Sequence, residues 1–176
     1  KKKLFSPEHT RNCAFNADDD VTSFMMDGVT LPYVTFGISA DCDIYARDIE
    51  IAEEGVSFMM RLRGGLETRV ELKMTGMFNV YNALAAVTAA LLLKIPPETI
   101  QAQISGFQNT GMRQKIYERD GFTIIEDCYN AGPESTEAAL DILAGFRARA
   151  KGRCIAVLGD MLELGNRSAA EHYRIG

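Results

Sequence analysis

Two acidic residues, each at the end of an apolar run, are the first candidates for chemistry. Asp127 and Asp160 follow short β-rich runs at residues 122–126 and 154–158. A helical pattern that opens at Pro133 and lasts to about residue 149 separates the two runs. This arrangement predicts a βαβ unit with parallel strands and a right-handed crossover. Because ligands of open α/β sheets bind at the carboxyl ends of strands, both acids mark candidate binding positions.

Asp127 has the sharper chemical argument. A carboxylate at the end of a βαβ strand can accept hydrogen bonds from both hydroxyls of a ribose. The loop that follows, which includes Asn130, leads into a helix N-terminus whose free N–H groups could hold an anion. An alternative stays open, in which Asp127 and Asn130 only turn the chain and cap the helix. Asp160 and Glu163 could orient a cationic or hydroxyl-bearing ligand, or they are ordinary loop acids.

Two amides and one arginine are further candidates. Asn79 and Asn82 lie three residues apart at the start of a long helical pattern, so they share a helix face. An amide both donates and accepts, which suits the edge of a purine base, although Asn79 could instead cap the helix. Arg113 lies in a polar stretch between two apolar modules. A guanidinium there suits phosphate, unless it is an ordinary exposed arginine.

Periodicity places these candidates in an α/β fold of two pieces. In the first, turn glycines between β-rich runs predict an antiparallel meander, followed by a pair of helices. The predicted strands and helices are 12–15, 33–38, 44–52, 56–62 and 66–74, then 78–94 and 98–104. In the second, residues 115–118 pair with 122–126 across the Asp120-Gly121 turn. Residues 108–111 are the predicted linker.

One further polar segment follows the first predicted strand. The acids of residues 16–20 end the run 12–15 abruptly. They form either a solvated turn or a strand-end site for a nucleotide or a metal. Spacing alone leaves both readings open.

Composition argues against several functional classes. The net charge is −5 with no basic face for nucleic acid, and no apolar run is long enough to span a membrane. Four cysteines without a CxxC pair argue against zinc and fit a reducing cytosol. His9 and His172 lack partners at metal or catalytic spacing, and we expect both to be incidental. No GxxxxGK(S/T), GxGxxG or GxSxG motif occurs.

Several motifs in order along nearly the whole chain resemble the Mur ligases, the ATP-dependent amide-forming enzymes of peptidoglycan synthesis. They are Asn16-Ala17-Asp18-Asp19, Gly76-x-x-Asn79-Val80-Tyr81-Asn82-Ala83, Met112-Arg113, Asp127-Cys128-Tyr129-Asn130-Ala131 and Leu158-Gly159-Asp160-Met161-x-Glu163-Leu164-Gly165. The last two resemble specifically the member that adds D-alanyl-D-alanine to UDP-N-acetylmuramoyl-tripeptide.

The resemblance implies a role for each candidate residue. The residues that it assigns to ATP are Asn79 and Asn82 at the adenine, Arg113 at the phosphate and Asp127 at the ribose. The residues that it assigns to the incoming dipeptide are Asn130, Asp160 and Glu163. Two positions depart from the family pattern, because Phe78 replaces a histidine and Gly132 replaces an asparagine.

The resemblance also implies domains and a reaction. Residues 1–107 correspond to the second half of a central ATPase domain, and residues 112–176 to the first half of a Rossmann-like C-terminal domain. In the cytoplasm of a bacterium, ATP would phosphorylate the terminal carboxylate of the tripeptide, and the dipeptide amine would attack the acyl phosphate. The family's phosphate loop, carbamylated lysine and Mg²⁺ ligands are expected before residue 1, so we expect this chain to be inactive alone.

Two further expectations concern partners. Sheet edges left without neighbouring strands favour self-association into a dimer or larger assembly. The alternative from a different functional class is a non-catalytic module that binds a nucleotide or a protein partner.

Overall fold

The computed structural model describes residues 2–52, 54–107, 113–147 and 152–176. The chain forms two compact units, Lys1–Phe107 and Gln108–Gly176. The predicted linker, residues 108–111, lies outside the described residues, as do the last two residues of the predicted βαβ helix, 148 and 149. Each helix in the described ranges is too short or too polar to cross a bilayer.

The first unit contains a five-stranded mixed sheet whose spatial order follows the chain order. Its strands are β1 (Cys13–Asn16), β2 (Tyr33–Gly37), β3 (Ile44–Ala52), β4 (Gly55–Leu62) and β5 (Glu67–Leu72). Strands β1 to β3 run parallel, whereas β3 to β5 form an antiparallel meander. The predicted meander and mixed sheet are confirmed. A short helix, α1 (Thr22–Met26), follows β1 and was not predicted from the sequence.

The core of this unit lies between the sheet and two helices. α2 (Met77–Leu92) buries one stripe that includes Val80 and Leu84, both fully inaccessible, as helical spacing predicts. Along β4 burial alternates, so that Phe58 points into the same core. α3 (Pro97–Gly106) opens on proline, which is tolerated in a first helical turn. The predicted helix pair is confirmed.

The second unit begins with a β-hairpin. β6 (Lys115–Arg119) pairs antiparallel with β7 (Phe122–Glu126). Asp120 and Gly121 both have positive φ, 52° and 78°, which is the geometry of a type I′ turn. The predicted hairpin is confirmed, and it is followed by the helices α4 (Pro133–Arg147) and α5 (Ser168–Ile175).

The prediction of a second strand in the βαβ unit is wrong. Residues 154–158 form no strand, and β7 pairs with β6 alone among the described strands. The side chains of Ile155, Val157 and Leu158 are exposed, with Val157 at 92%. An apolar pattern predicts burial, but a strand also needs a neighbour for its backbone N–H and C=O groups. The described residues of the second unit therefore contain the first strand and the helix of the predicted unit, without the parallel crossover.

Candidate functional site

The predicted amide pair lies in the first two turns of α2. Asn79 is only 4% exposed, and its Nδ2 donates to the carbonyl oxygen of Thr75 across 2.8 Å. Asn82 is exposed one turn later, and its Nδ2 donates to Asn79 Oδ1 across 3.4 Å. The structure brings the two amides together. Asn79 holds the chain that precedes the helix, and Asn82 faces solvent.

A carboxylate at the end of β1 joins three elements of the first unit. Asp18 Oδ2 accepts the backbone N–H of Ile38 at 2.7 Å and the phenol O–H of Tyr81 at 3.1 Å. A Cβ at Gly37 would lie 2.4 Å from Asp18 Oδ2, so a larger residue there would displace this carboxylate. Burial, and then the hydrogen bond and charge of Asp18, raise the pKa of Tyr81 to about 12. Tyr81, the residue of α2 in this contact, immediately precedes Asn82.

The neighbours of Asp18 in sequence form a turn. Asn16 Oδ1 accepts the backbone N–H of Asp18 at 3.1 Å, and Asp19 Oδ1 accepts that of Val21 at 3.0 Å. The bonds of Asn16 and Asp19 therefore agree with the first interpretation, a turn. Asp18 instead contacts Ile38, just after β2, and Tyr81 of α2, a role that neither sequence-based interpretation included.

In the second unit, Arg113 and Asp127 lie on two segments that contact each other. The guanidinium of Arg113 lies over the ring of Tyr129, 4.3 Å from its centroid, as in a cation–π contact. The backbone N–H of Gln114 donates to Asp127 Oδ1 across 3.3 Å. These two contacts hold the segment before β6, which carries Arg113, against the loop after β7, which carries Asp127. Tyr129 is a candidate that the sequence reasoning missed, and its aromatic type two residues after Asp127 was the available signal.

The loop after β7 ends in a capped helix. Asn130 is exposed in this loop. The N–H of Gly132 donates to Ser135 Oγ at 3.1 Å, and the N–H of Thr136 donates to the carbonyl oxygen of Gly132 at 2.8 Å. Gly132 thus has the bonds of an N-cap residue. Because Ser135 makes the side-chain capping contact, the cap does not require Asp127 or Asn130.

The remaining predicted residues lie between the exposed apolar run and α5. Asp160 Oδ1 lies 2.6 Å from His172 Nε2, and the same nitrogen accepts the backbone N–H of Met161 at 3.0 Å. His172 therefore has partners in the fold, although its spacing in the sequence predicts none. Glu163 is exposed and has a positive φ of 63°, which turns the chain before α5. The structure places Asp160 and Glu163 on one loop.

A groove of about 310 Å³ in the first unit does not include the predicted site residues. It lies between the β4–β5 hairpin and the helices α2 and α3, and its wall includes Met60, Val70, Leu91 and Ile100. Within the described ranges, no group of three or more histidine, cysteine, aspartate or glutamate side chains could hold a metal ion.

Comparison with known proteins identifies the class of protein that this fold and these residues define. A sequence model described as the Mur ligase middle domain matches residues 1–90. A second, described as the Mur ligase glutamate ligase domain, matches residues 112–176. The chain belongs to the Mur ligase family.

Individual relatives agree with this membership. The UDP-N-acetylmuramoyl-tripeptide–D-alanyl-D-alanine ligase of Bacillus subtilis is 36% identical over 143 residues, which are 81% of this chain and 30% of that protein. The crystal structure of MurF from Acinetobacter baumannii superposes with a TM-score of 0.85 at 28% identity, over 99% of this chain and 38% of that one.

A third relative agrees in fold. MurF from Thermotoga maritima, crystallised with ADP, has a TM-score of 0.73 at 22% identity, over 94% and 38% of the two chains. This chain spans about a third of the length of the three relatives named here.

Proposed function

We propose that this chain forms part of a cytoplasmic ATP-dependent ligase that adds D-alanyl-D-alanine to UDP-N-acetylmuramoyl-tripeptide through an acyl phosphate. In this proposal residues 1–107 belong to the central ATPase domain and residues 112–176 to the C-terminal Rossmann-like domain. The support is the family membership together with 36% identity to the Bacillus subtilis enzyme that carries this name.

One structural observation carries the assignment of residues to the nucleotide. Arg113 and Asp127 are held at one loop, the first by Tyr129 and the second through the N–H of Gln114. A guanidinium pairs with phosphate oxygens, and an exposed carboxylate accepts hydrogen bonds from ribose hydroxyls. These are the groups that a nucleoside triphosphate presents, so the residues fit this ligand.

We assign different roles to the two side-chain amides of the first unit, Asn79 and Asn82. Asn79 is buried and donates to the Thr75 carbonyl oxygen, so we propose that its role is to orient the side chain of Asn82. Asn82 is exposed and has the donor and acceptor that an adenine edge needs. We therefore assign the direct contact with adenine to Asn82.

The dipeptide is assigned to the loops that carry Asn130, Asp160 and Glu163. Both carboxylates are exposed, so they are open to the ammonium group of an incoming dipeptide. ATP, when bound, supplies the phosphoryl group that activates the carboxylate of the tripeptide. We assign no Mg²⁺ ligand to this chain and derive no step through the metal.

The reaction is tested by replacing the matching segment of the Bacillus subtilis ligase with residues 1–176. The product is then measured as tripeptide converted to pentapeptide in the presence of ATP and D-alanyl-D-alanine. We expect ligation, and we expect Asp127→Asn in the replaced segment to lower it, whereas Asp141→Asn, the same change at an exposed position of α4, leaves it unchanged. The proposal is contradicted if the chimeric enzyme unfolds as cooperatively on heating as the Bacillus subtilis ligase but ligates no dipeptide.

A further inference from the structure

The imidazole of His172 makes contacts with both of its nitrogens. Nδ1 lies 2.8 Å from the carbonyl oxygen of Ser168 and 3.3 Å from Ser168 Oγ. Nε2 lies 3.0 Å from the backbone nitrogen of Met161 and 2.6 Å from Asp160 Oδ1. The ring thus joins α5 to the loop that carries Asp160.

These contacts cannot all be satisfied by one protonation state. The carbonyl oxygen of Ser168 only accepts, so Nδ1 carries a hydrogen. In the neutral ring Nε2 then has a lone pair, which accepts the N–H of Met161 but repels the Asp160 carboxylate. In the protonated ring Nε2 carries a hydrogen that it donates to Asp160, and the N–H of Met161 loses its acceptor.

We propose that His172 is a positioning residue whose protonation decides whether the Asp160 carboxylate is held on the imidazole ring or is available to the ammonium group of a ligand. The neutral ring holds the Met161 amide and leaves Asp160 as a free anion at its exposed position. The protonated ring takes Asp160 as its own partner and neutralises its charge. Naming D-alanyl-D-alanine as the source of the ammonium rests on the proposed function; the exchange of partners at Nε2 does not.

The surroundings of the ring favour this exchange. Met161 is 4% exposed, so the loop is anchored beside the ring, while the side chain of Asp160 is 72% exposed and open to solvent. The hydrogen bond to the Ser168 carbonyl oxygen, and then the hydrogen bond and charge of Asp160, raise the pKa of His172 above its ordinary value. The exchange of partners at Nε2 therefore occurs at a pH above the ordinary pKa of histidine, nearer to neutral pH.

The other charged groups on α5 and just before it are paired with one another and with Glu137 of α4. Arg174 contacts Glu137 of α4 at 2.6 Å and Glu171 at 3.0 Å, and Arg167 contacts Glu171 at 3.5 Å. Among the described residues, Asp160 is the carboxylate that contacts the ring. The protonation of His172 is consequently read out mainly at Asp160 and Met161.

The test is a pH titration of the isotope-labelled 176-residue chain by NMR, which follows the imidazole resonances and the backbone amide of Met161. The sequence has two histidines, so His9→Gln assigns the rings and is the matched control for His172→Gln. We expect the Met161 amide to shift with the same midpoint as the His172 ring. Asp160→Asn should lower that midpoint, and His172→Gln should abolish the Met161 shift. A Met161 amide that does not follow the ring, or a midpoint that Asp160→Asn leaves unchanged, overturns the proposal.

A second arm adds D-alanyl-D-alanine above and below the midpoint. We expect its affinity at the Asp160 loop to fall about threefold to fivefold when the ring is protonated, as for the loss of an exposed charge pair. His172→Gln should remove this dependence. If the dipeptide binds elsewhere or not at all while Met161 still follows the ring, the positioning role stands and the dipeptide assignment of the proposed function fails. If the dipeptide binds at Asp160 equally at both pH values, the availability of Asp160 is not controlled by His172 and the proposal fails.

Discussion

The phenol of Tyr81 donates a hydrogen bond to Asp18 across 3.1 Å and so ties the beginning of α2 to the end of β1. Asp18 also accepts the N–H of Ile38 beyond β2. The amide that we assign to adenine, Asn82, is the next residue after Tyr81. Its position therefore depends on a contact between side chains that are 63 residues apart.

The first prediction concerns this contact. Asp18→Asn removes the charge that disfavours the phenolate, so the pKa of Tyr81 should fall from about 12 towards the ordinary tyrosine value. Ultraviolet difference titration at alkaline pH measures it, with Tyr81→Phe identifying the transition and Tyr173→Phe, at a fully exposed position, as the control. An unchanged transition in Asp18→Asn would show that burial alone sets the pKa.

The second prediction concerns a carboxylate between β2 and β3. Asp43 accepts the N–H and the hydroxyl of Thr35, both at 2.9 Å, and the guanidinium of Arg63 at 3.0 Å. The bond from the Thr35 N–H is the main cause that lowers the pKa of Asp43. Asp43→Asn should therefore reduce the free energy of unfolding by about 1 to 2 kcal/mol at neutral pH.

The pH dependence of this effect has a definite sign. A lowered pKa means that Asp43 stabilises the fold above its unfolded-state pKa of about 3.9, and that this contribution is lost as the pH falls through the folded-state value. The difference between the wild type and Asp43→Asn, measured by urea unfolding, should shrink over that acidic window. Asp41→Asn is the matched control at an exposed position. A difference that stays constant with pH would contradict the role of the charge.

The third prediction concerns the family departure at Gly132. A Cβ there would lie 3.6 Å from Ser135 Oγ, which is an ordinary contact, and Gly132 does not have a positive φ. Gly132→Asn should raise the free energy of unfolding by about 0.3 to 1 kcal/mol, because asparagine caps a helix and restricts the unfolded chain. Gly132→Ala restricts the chain without the capping side chain. A lower melting temperature for Gly132→Asn than for Gly132→Ala would rule out the cap.

The fourth prediction concerns self-association. The hairpin β6–β7 has one strand pairing, and the exposed run that contains Val157 has none among the described strands. Unpaired edges with apolar neighbours favour pairing between copies. Light scattering should therefore show a mass above that of one chain as concentration rises, and Val157→Lys should reduce it. A single-chain mass at every concentration would be the contrary result.

Much of the fold follows from local pattern. Turn glycines and β-rich runs predict β3, β4 and β5, and the Asp120-Gly121 pair predicts the hairpin, because both signals act between neighbours in sequence. Residues 154–158 have a strand-like composition without a strand partner, and composition does not encode pairing. The second strand was therefore predicted where none is formed.

The candidate site shows the same limit. The types of Asp127 and Arg113 suggest their ligands, but the ring of Tyr129 that holds Arg113 is defined only by the tertiary structure. The sequence does not mark His172 as a site residue, because its partners Asp160 and Met161 lie twelve and eleven residues earlier, outside any helical spacing. Contacts of this kind depend on how loops fold back on helices, which periodicity does not report.

The assignment of the nucleotide to Asp127 and Asn82 is tested most directly by titrating ADP and ATP into the labelled chain while observing its backbone and side-chain amides. We predict shifts at the Asn82 side chain and at the amides of Gln114 and Asp127. We also predict an affinity about tenfold lower in Asp127→Asn, since a hydrogen bond to a charged group is lost, and unchanged in Asp141→Asn. Shifts confined to other residues, or equal affinities for the two variants, would contradict the assignment.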